Sequence, residues 1–211
     1  MKKSVFCDFD GTVAVKDVGN VLFQTFADTS CREWVARWIR GEISSRTCLE
    51  AECALARASR EELERFARAQ EMDPHFPSFV RTCRENDISI AILSDGLDFY
   101  IERMLTKYHL SDVPFFANRL VLDHGKLKPE FPYYDEGCGQ CGNCKVFHLT
   151  RGKQDGEQVV YIGDGYSDRW AAEKADVVFA KRDLLKYCRE QGIACYEYAD
   201  FGDVLEIFST L

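Results

Sequence analysis

Residues 4–12, SVFCDFDGT, join a short apolar segment to two closely spaced carboxylates. The apolar start of this segment predicts a β-strand over Ser4–Phe9. Because side chains alternate between the two faces of a strand, Asp8 and Asp10 reach one site only if the chain turns there. Gly11 favours such a turn, since glycine tolerates backbone angles that other residues avoid. We therefore expect a strand whose end presents two carboxylates.

The following segment, residues 15–72, has the period of α-helices and no pattern of strands. Apolar residues recur there at helical spacing, on faces formed by Val21, Leu22, Thr25 and Phe26 and by Trp34, Val35, Trp38 and Ile39. Serine–x–x–glutamate sequences at Ser30 and Ser59 are typical of capping boxes at helix starts. We therefore expect a helical insert over 15–72 within a core formed by 1–14 and 73–211.

Strand and helix patterns alternate in the rest of the chain. The predicted strands are Ile88–Leu93, Val159–Ile162 and Val177–Ala180, with a hairpin over Leu120–Leu127 that turns at His124 and Gly125. The predicted helices are Phe79–Glu85, Asp98–Tyr108, Val146–Thr150, Arg169–Lys174, Leu184–Gln191 and Val204–Phe208. Strands that alternate with helices favour βαβ units, a parallel sheet and an α/β fold.

Polar residues directly follow the strands in three places: Asp8–Thr12, Ser94–Gly96 and Gly163–Asp168. Ligands of open α/β sheets bind beyond the carboxyl ends of the strands, so we expect these segments to converge. The carboxylates brought together there are Asp8, Asp10, Asp164 and Asp168. Oxygen ligands of this kind suit Mg²⁺, which would also offset their mutual repulsion.

Such a site is suited to chemistry on a phosphate group. One of the first two carboxylates, Asp8 and Asp10, can attack a phosphorus atom while the other handles a proton. The hydroxyl of Ser94 and free amides at the next helix start can hold phosphate oxygens. Lys145, which opens a predicted helix, is the candidate cation.

The motifs DFDGT, SDG, a helix-opening lysine and GDGYSD occur in this order. In order and in coverage of nearly the whole chain, this set resembles the haloacid dehalogenase-like phosphatases. The resemblance implies a Rossmann-like three-layer core around a parallel sheet. The insert is similar to the small helical cap of the phosphoserine-phosphatase-like branch. Such a cap closes over the site and implies a small soluble substrate.

The resemblance also assigns catalytic roles. Asp8 resembles the nucleophile that forms an aspartyl-phosphate, and Asp10 resembles the general acid and base. Ser94 and Lys145 resemble the groups that hold and neutralise the phosphoryl oxygens. A general acid with a carboxyl side chain favours hydrolysis of an oxygen ester.

Metal-binding roles follow from the same resemblance. Asp164 resembles a Mg²⁺ ligand, together with Asp8 and the backbone carbonyl of Asp10. Asp168 resembles the acidic residue that orients the metal shell or the lysine.

The predicted substrate-binding residues are Ser94, Asp95, Gly96, Lys145 and Arg46. Arg46 lies in the insert and is a candidate contact for the substrate anion, with a solvated surface arginine as the alternative. Asp17 and Asn20 are candidate polar wall residues, with helix capping as the alternative.

Residues 138–145, CGQCGNCK, place three cysteines before the candidate lysine. This run is similar to that of the methionine-salvage phosphatases acting on 2-hydroxy-3-keto-5-methylthiopentenyl 1-phosphate, and to that of the phosphocholine/phosphoethanolamine phosphatases. Asp95 stands where the salvage enzymes are expected to have glycine, and it resembles the phosphocholine group. The cysteines Cys138, Cys141 and Cys144 fit a zinc site with His148 or Asp135, a redox pair, or reduced thiols in a tight loop. The other cysteines are expected to be small buried hydrophobes.

Composition excludes several classes of protein. The chain has 211 residues, 46% hydrophobic and 29% charged, with a formal net charge of −8. This is ordinary globular composition, unlike disordered or collagen-like chains. No apolar run approaches the ~18 residues of a membrane span, and no secretory signal is present, so a cytoplasmic location is expected. The absence of a basic block disfavours nucleic-acid binding.

The motifs predict a Mg²⁺-dependent phosphomonoester hydrolase that is a monomer or homodimer and acts on a small metabolite. The methionine-salvage enol phosphate is the first candidate substrate. Phosphocholine, phosphoethanolamine and phosphoserine are the alternatives. A phosphotransferase or phosphomutase would share the aspartyl-phosphate but pass the phosphoryl group to an organic acceptor. A non-catalytic binding module on the same fold is a further alternative.

Overall fold

The computed structural model describes residues 2–152 and 156–211. The strands in this part of the chain are β1 Lys3–Cys7, β2 Ser89–Leu97, β3 Phe115–Asp123, β4 Lys126–Glu130, β5 Gln158–Gly163, β6 Val177–Ala180 and β7 Tyr196–Glu197. They form one sheet in the spatial order β4-β3-β2-β1-β5-β6-β7. Neighbouring strands are parallel except β3 and β4, which form an antiparallel hairpin. The predicted α/β fold is confirmed.

Six helices cover the two faces of this sheet, and four belong to the insert. The helices of the described residues are α1 Val18–Phe26, α2 Cys31–Ile39, α3 Ser45–Leu55, α4 Arg60–Ala69, α5 Phe76–Glu85, α6 Asp98–Lys107, α7 Lys145–Gly152, α8 Arg169–Ala172, α9 Arg182–Gln191 and α10 Phe201–Phe208, of which α1 to α4 form the insert. Val5 and Cys7 of β1 pack into one apolar core with α5, α6 and α10. Phe6 points to the other face, into a core with α7, α8 and α9. This alternation produces the predicted three-layer core.

Several predicted boundaries are wrong at the ends that carry the motifs. β1 ends at Cys7 rather than Phe9, because the chain turns over Phe9–Val13. β2 continues to Leu97 through an irregular register instead of ending at Leu93. The edge strand β7 was not predicted, because two residues are too short for a periodic pattern.

The two ends of the helical insert lie side by side. The amide of Val15 donates to the carbonyl of Glu71 at 3.0 Å, and the amide of Asp73 donates to that of Val13 at 2.9 Å. Helices α1 to α4 all fall between these hydrogen bonds. The assignment of residues 15–72 as a cap stays a prediction, and this pairing supports it.

One of the two predicted capping boxes is present. Ser59 accepts from the amide of Glu62 at 3.2 Å, and the Glu62 side chain accepts from the amide of Ser59 at 2.8 Å. The box at Ser30 is wrong, because Ser30 makes no side-chain cap and its amide instead donates to the Asp28 carboxylate. The nearer aspartate therefore replaces the capping box at the start of α2.

The predicted apolar faces of the insert differ in what they cover. In α1, Leu22 is fully buried as predicted, but Thr25 is exposed. In α2, Val35, Trp38 and Ile39 line a cavity instead of filling a core. The apolar period of α2 therefore marks a wall of the cavity.

Among the helices of residues 2–152 and 156–211, none has the length and apolar character that crossing a bilayer requires. The predicted burial of the cysteines outside the 138–144 run holds for Cys7, Cys31, Cys48, Cys53, Cys83 and Cys188, whereas Cys195 is half-buried.

Candidate active site

The three polar motifs converge on one cavity at the carboxyl end of the sheet. β1 lies between β2 and β5, so the residues that follow these strands are neighbours in space. Asp8, Asp95 and Asp164 line a cavity of about 420 Å³, and α2 and α3 cover it from the insert. This volume is in the range typical of sites for small ligands.

The turn after β1 brings the second carboxylate back to the cavity. Gly11 has a φ of +81°, which L side chains rarely adopt, and a Cβ there would lie 2.4 Å from an oxygen of Asp164. The turn therefore requires glycine both for its backbone angle and for the close approach of Asp164. The expectation that a turn lets Asp8 and Asp10 share a site is confirmed, since both line the cavity.

Lys145 is buried and is bound to Asp8, one of the carboxylates that line the cavity. Its Nζ donates to Asp8 Oδ1 and Asp168 Oδ1, each at 2.5 Å, and to Ser167 Oγ at 3.0 Å. Burial alone would lower the pKa of Lys145, but the carboxylates of Asp168 and Asp8 raise it well above its usual value. The ammonium is therefore held in its charged form next to Asp8.

Both oxygens of Asp168 are already hydrogen-bonded. Oδ1 accepts from Lys145 and from the hydroxyl of Tyr161 at 2.5 Å, and Oδ2 accepts from the amides of Asp164 and Gly165. The side chain is fully buried. Of its two predicted roles, this geometry favours orienting the lysine over binding a metal directly.

A cluster of three carboxylates that could hold a cation lies beside Lys145. Asp8, Asp164 and Asp168 each place an oxygen within 4.8 Å of the others. Burial, followed by repulsion from Asp168, raises the pKa of Asp8 well above its usual value and that of Asp164 to about 6. The Arg182 guanidinium contacts Asp164 at 2.8 Å. Buried carboxylates that repel one another are a fitting donor set for a hard divalent cation.

The hydrogen-bond donors to Asp10 among the described residues are all neutral. Its Oδ1 accepts from the amide of Gly19 at 3.0 Å, and its Oδ2 accepts from Tyr100 at 2.9 Å and from Ser94 at 3.2 Å. Burial and the nearby Asp17 raise the pKa of Asp10 to about 7, although these hydrogen bonds act in the opposite direction. A carboxyl group in this state can give and take a proton near neutral pH.

The second motif is tied to the loop that precedes Lys145. Asp95 Oδ1 accepts from the amide of Asn143 at 2.8 Å, and the Asn143 side chain donates to the carbonyl of Ser94 at 2.8 Å. A Cβ at Gly96 would lie 1.9 Å from the Tyr100 hydroxyl. Asp95 and Gly96 therefore line the cavity, whereas Ser94 is buried next to it and donates to Asp10.

The wall formed by the insert contains a buried acidic residue, Glu52. Glu52 of α3 and Asp17 line the cavity together with apolar and aromatic side chains: Phe23, Val35, Trp38, Ile39 and Leu49. The hydrogen bond to Glu52 comes from the Cys48 thiol, with 3.7 Å between sulfur and oxygen. Burial, with a smaller contribution from Asp17, raises the pKa of Glu52 to about 8. Asp17 also caps α1 by accepting from the amide of Asn20, so both of its predicted roles are compatible with the structure.

Arg46 is not brought to the acidic cluster. Its guanidinium pairs with Glu50 at 3.0 Å and packs over the rings of Phe131 and Tyr134. It is absent from the described lining of the cavity. The geometry therefore favours the alternative prediction, a surface arginine, because these partners on its own helix and on the neighbouring loop are closer.

The three-cysteine run does not form a ready metal site. Within residues 2–152 and 156–211, its sulfur atoms are not all within 4.8 Å of one another or of a further ligand. His148 points to Asn143 Oδ1, at 2.6 Å. The zinc alternative is thus not supported by this geometry.

Several site residues were not found by sequence reasoning. Tyr100, Arg182 and Glu52 lie on helices far along the chain from the carboxylates that they contact or face. In the structure, Arg182 has an unusual backbone conformation, with a φ of +51° at the start of α9. No short-range sequence pattern connects these residues to the motifs, so only the folded chain brings them together.

The fold and the site define a known class of protein. A family model described as haloacid dehalogenase-like hydrolase matches residues 5–173. The chain belongs to this family, and the phosphatase class that its motifs predict is confirmed.

Individual relatives agree with this assignment. The chain is 28% identical over 211 residues to the 2-hydroxy-3-keto-5-methylthiopentenyl-1-phosphate phosphatase of Exiguobacterium sibiricum, covering 98% of this chain and 96% of the relative. It is 30% identical over 210 residues to the protein of the same name in Brevibacillus brevis, covering 98% and 95%. A structure of phosphoserine phosphatase with an analogue of its phospho-aspartyl intermediate has a TM-score of 0.74 at 22% identity, covering 98% of both chains. The predicted resemblance to the methionine-salvage phosphatases is confirmed, and the fold is that of the phosphoserine phosphatases.

Proposed function

We propose that the chain hydrolyses a small phosphomonoester in a Mg²⁺-dependent reaction, with Asp8 as the nucleophile. The observation that carries this proposal is the position of Asp8. It lies on the floor of a covered cavity, bound by Lys145 and beside Asp10, whose pKa is raised to about 7 by burial. A nucleophile, a neutralising cation and a proton carrier thus surround one small space.

The donor set at the floor fits a magnesium ion. Asp8, Asp164 and the backbone carbonyl of Asp10 would hold it, since the oxygens of Asp168 are taken by other partners. When bound, the ion neutralises charge on the phosphoryl oxygens and orients the phosphate. We expect chelation to abolish activity.

The residues of the chain then divide the chemistry. Lys145 binds Oδ1 of Asp8, so the other oxygen attacks phosphorus and forms an acyl phosphate, the aspartyl-phosphate, as the P–O bond to the leaving group breaks. The leaving oxygen takes the proton of Asp10. Asp10 next removes a proton from water, the water oxygen attacks phosphorus, and inorganic phosphate leaves with Asp8 restored. Lys145 and Ser94 hold the phosphoryl oxygens during both steps.

For the substrate, the first candidate is 2-hydroxy-3-keto-5-methylthiopentenyl 1-phosphate, the compound in the names of the relatives. Its thioether tail matches the apolar side chains of Val35, Trp38 and Leu49. Its keto and hydroxyl oxygens match Glu52 in the protonated state, which burial favours by raising the pKa of this group to about 8. A protonated carboxyl donates a hydrogen bond to a neutral oxygen.

The same wall supports a second candidate, a phosphate ester of an amino alcohol such as phosphocholine or phosphoethanolamine. Glu52 and Asp17 both line the cavity, and neither of them has a salt-bridge partner among the described residues. An ammonium group between them would ionise Glu52, and Trp38 offers an aromatic face to the same cation.

The first experiment measures inorganic phosphate released from both kinds of substrate and from phosphoserine, with Mg²⁺ and after chelation. We expect one preferred, Mg²⁺-dependent substrate. Asp8→Asn is expected to lower kcat at least about a thousandfold while the protein stays folded, because the nucleophile is removed. Asp112→Asn, at an exposed acid, is the matched control. Turnover by Asp8→Asn would exclude Asp8 as the nucleophile.

A second variant separates the two substrate classes. Glu52→Gln keeps a hydrogen-bond donor but cannot become an anion. For a neutral keto-enol substrate we expect KM to change less than about threefold, whereas for an ammonium substrate it should rise at least about tenfold, equal to about 1.4 kcal/mol. Glu50→Gln, an exposed acid on the same helix, is the control.

Product analysis separates hydrolysis from transfer. We expect all phosphate to appear in water when alcohols and sugars are offered as acceptors, and a phosphorylated acceptor would instead identify a phosphotransferase. A cytoplasmic location and a monomeric or homodimeric state stay predictions, which fractionation and light scattering would test.

A further inference from the structure

A second cavity lies beside the active site and is lined by the three cysteines of the 138–144 run. It has a volume of about 740 Å³, and Trp38 and Tyr166 border both cavities. Cys138 is exposed, Cys141 is half-buried and Cys144 is buried. The cavity therefore gives small molecules a path to thiols that the hydrolytic reaction does not use.

Cys144 sits where a thiolate is stabilised. It directly precedes α7, and the amides of Phe147 and Cys138 donate to its sulfur. The Cys141 and Cys138 side chains also lie within interaction distance of this sulfur. The interaction with Cys141 contributes most to lowering the pKa of Cys144 to about 5, against the opposing effect of burial. A thiolate at a helix start, paired with a neighbouring thiol three residues earlier, is the arrangement of reactive dithiols.

The same chain contains a contrasting thiol pair. Cys188 and Cys195 are also hydrogen-bonded to each other. Burial, followed by the effect of Cys195, raises the pKa of Cys188 to about 12, so the Cys188 thiol is not a ready nucleophile. Both pairs therefore bring two sulfur atoms close together. They differ because the Cys141–Cys144 pair contains a stabilised thiolate, at Cys144.

The loop that carries the first pair is bonded to the catalytic machinery. Asn143, between the two cysteines, donates to Ser94 and Asp95, and Gly142 donates to Ser45 of the insert at 3.1 Å. Lys145 is the next residue after Cys144. A covalent bond that contracts this loop would strain these contacts and displace the lysine.

We propose that Cys141 and Cys144 form a reversible redox site that reacts with small-molecule disulfides and, when oxidised, lowers the phosphatase rate. The Cys144 thiolate attacks one sulfur of the small disulfide, forming a mixed disulfide and releasing one small thiolate. The Cys141 sulfur then attacks the Cys144 sulfur, releases its proton to the second small thiolate and closes the Cys141–Cys144 bond. Two protein thiol groups are oxidised, and one small disulfide is reduced to two thiols.

The experiment treats the full, Mg²⁺-loaded chain with oxidised glutathione and maps disulfides by mass spectrometry, with phosphate release measured in parallel. We expect one new bond between Cys141 and Cys144 and a fall in rate of at least about tenfold, because small misplacements of catalytic groups are costly. Dithiothreitol should restore both. Cys144→Ser should abolish bond formation and redox sensitivity, whereas Cys138→Ser and Cys195→Ser should preserve both.

Mapping the disulfides by mass spectrometry does not depend on the phosphatase reaction. The proposed redox site can therefore be confirmed or rejected separately from the proposed function. If Cys144→Ser does not fold, alkylation of the unmodified chain by iodoacetamide provides the second test, with Cys144 expected to react first among the ten cysteines. Oxidation at Cys188 and Cys195 instead, an unchanged rate in the oxidised chain, or one zinc ion bound per chain by the run would each overturn the proposal.

Discussion

Two regions of the active site are acidic: the floor, with Asp8, Asp164 and Asp168, and the insert wall, with Glu52 and Asp17. They differ in whether these acids have charged partners. On the floor, Lys145 contacts Asp8 and Asp168 at 2.5 Å, and Arg182 contacts Asp164 at 2.8 Å. On the wall, the one hydrogen-bond donor to Glu52 within residues 2–152 and 156–211 is the weak Cys48 thiol, at 3.7 Å. The floor is therefore electrostatically organised before substrate binds, and the wall is not.

This difference separates chemistry from recognition. A preorganised floor stabilises charge that develops on any phosphoryl group, without rearrangement during the reaction. A buried acid without a strong partner is unfavourable until a ligand supplies one. The floor is expected to act on phosphate in general, and the wall to choose the molecule that carries it.

The largest effect is expected from breaking the floor. Lys145→Met removes the cation that joins Asp8 to Asp168, so kcat should fall about a hundredfold to a thousandfold. The free energy of unfolding should also fall by about 3–5 kcal/mol, because buried carboxylates lose their partner. Phosphate release and urea denaturation measure the two effects, with the exposed Lys186→Met as the control. A stable, fully active variant would contradict the central role of Lys145.

A smaller effect is expected at the proton carrier. Tyr100→Phe removes one of the hydrogen bonds to Asp10, worth about 1.5 kcal/mol for a charged acceptor, so kcat should fall about tenfold. KM should change little, because Tyr100 holds Asp10 rather than the phosphate. Tyr108→Phe, which removes a hydrogen bond to the amide of Met72 away from the site, is the control. Equal loss of activity in both variants would mean that the effect is structural.

The raised pKa of Glu52 on the wall should make the free energy of unfolding depend on pH. Burial raises the pKa of Glu52 from 4.5 to about 8, so the folded chain holds a proton that the unfolded chain releases between these values. The contribution of Glu52 to the free energy of unfolding is therefore present at low pH and is lost as the pH rises toward 8, on the order of 5 kcal/mol. Glu52→Gln should remove this part of the slope. Urea denaturation of both proteins from pH 5 to 9 tests it, and parallel curves would contradict a buried, unpartnered Glu52.

The smallest effect is expected at Arg46, outside both regions. Its pairing with Glu50 at an exposed site should contribute less than about 1 kcal/mol. Arg46→Ala should therefore change KM less than about twofold for any substrate. A large rise in KM would return Arg46 to the substrate-binding residues that the sequence predicted.

The parts of the fold that the sequence predicted well are those with strong local patterns. Val177–Ala180 is a strand with the predicted bounds, and the hairpin turns at His124 and Gly125, both with positive φ. These elements rest on apolar runs and turn residues, which act over a few positions. The capping box at Ser30 fails for the same reason, since Asp28 is an equally local competitor.

The site residues that the sequence predicted are likewise those that depend on local patterns. Asp8 and Asp164 directly follow β1 and β5, and Ser94 lies near the end of β2, so the order of the parallel strands brings them together, while the turn at Gly11 adds Asp10. Glu52 and Tyr100 depend on how helices pack over that edge, which no short pattern encodes. The apolar face of α2 shows the limit most clearly, because a helix that lines a cavity and one that fills a core have the same period.

The hydrogen bonds at the root of the insert have a consequence for how such a protein changes over generations. Because Val15 pairs with Glu71 and Asp73 with Val13, the sheet meets the whole insert as if it were one long hairpin loop. The entropy needed to close a loop grows only slowly with its length, so this segment can lengthen, shorten or be exchanged with little penalty to the sheet. New substrate preferences can therefore arise by rewriting one contiguous stretch of the gene, while the residues that break the phosphate ester are inherited unchanged.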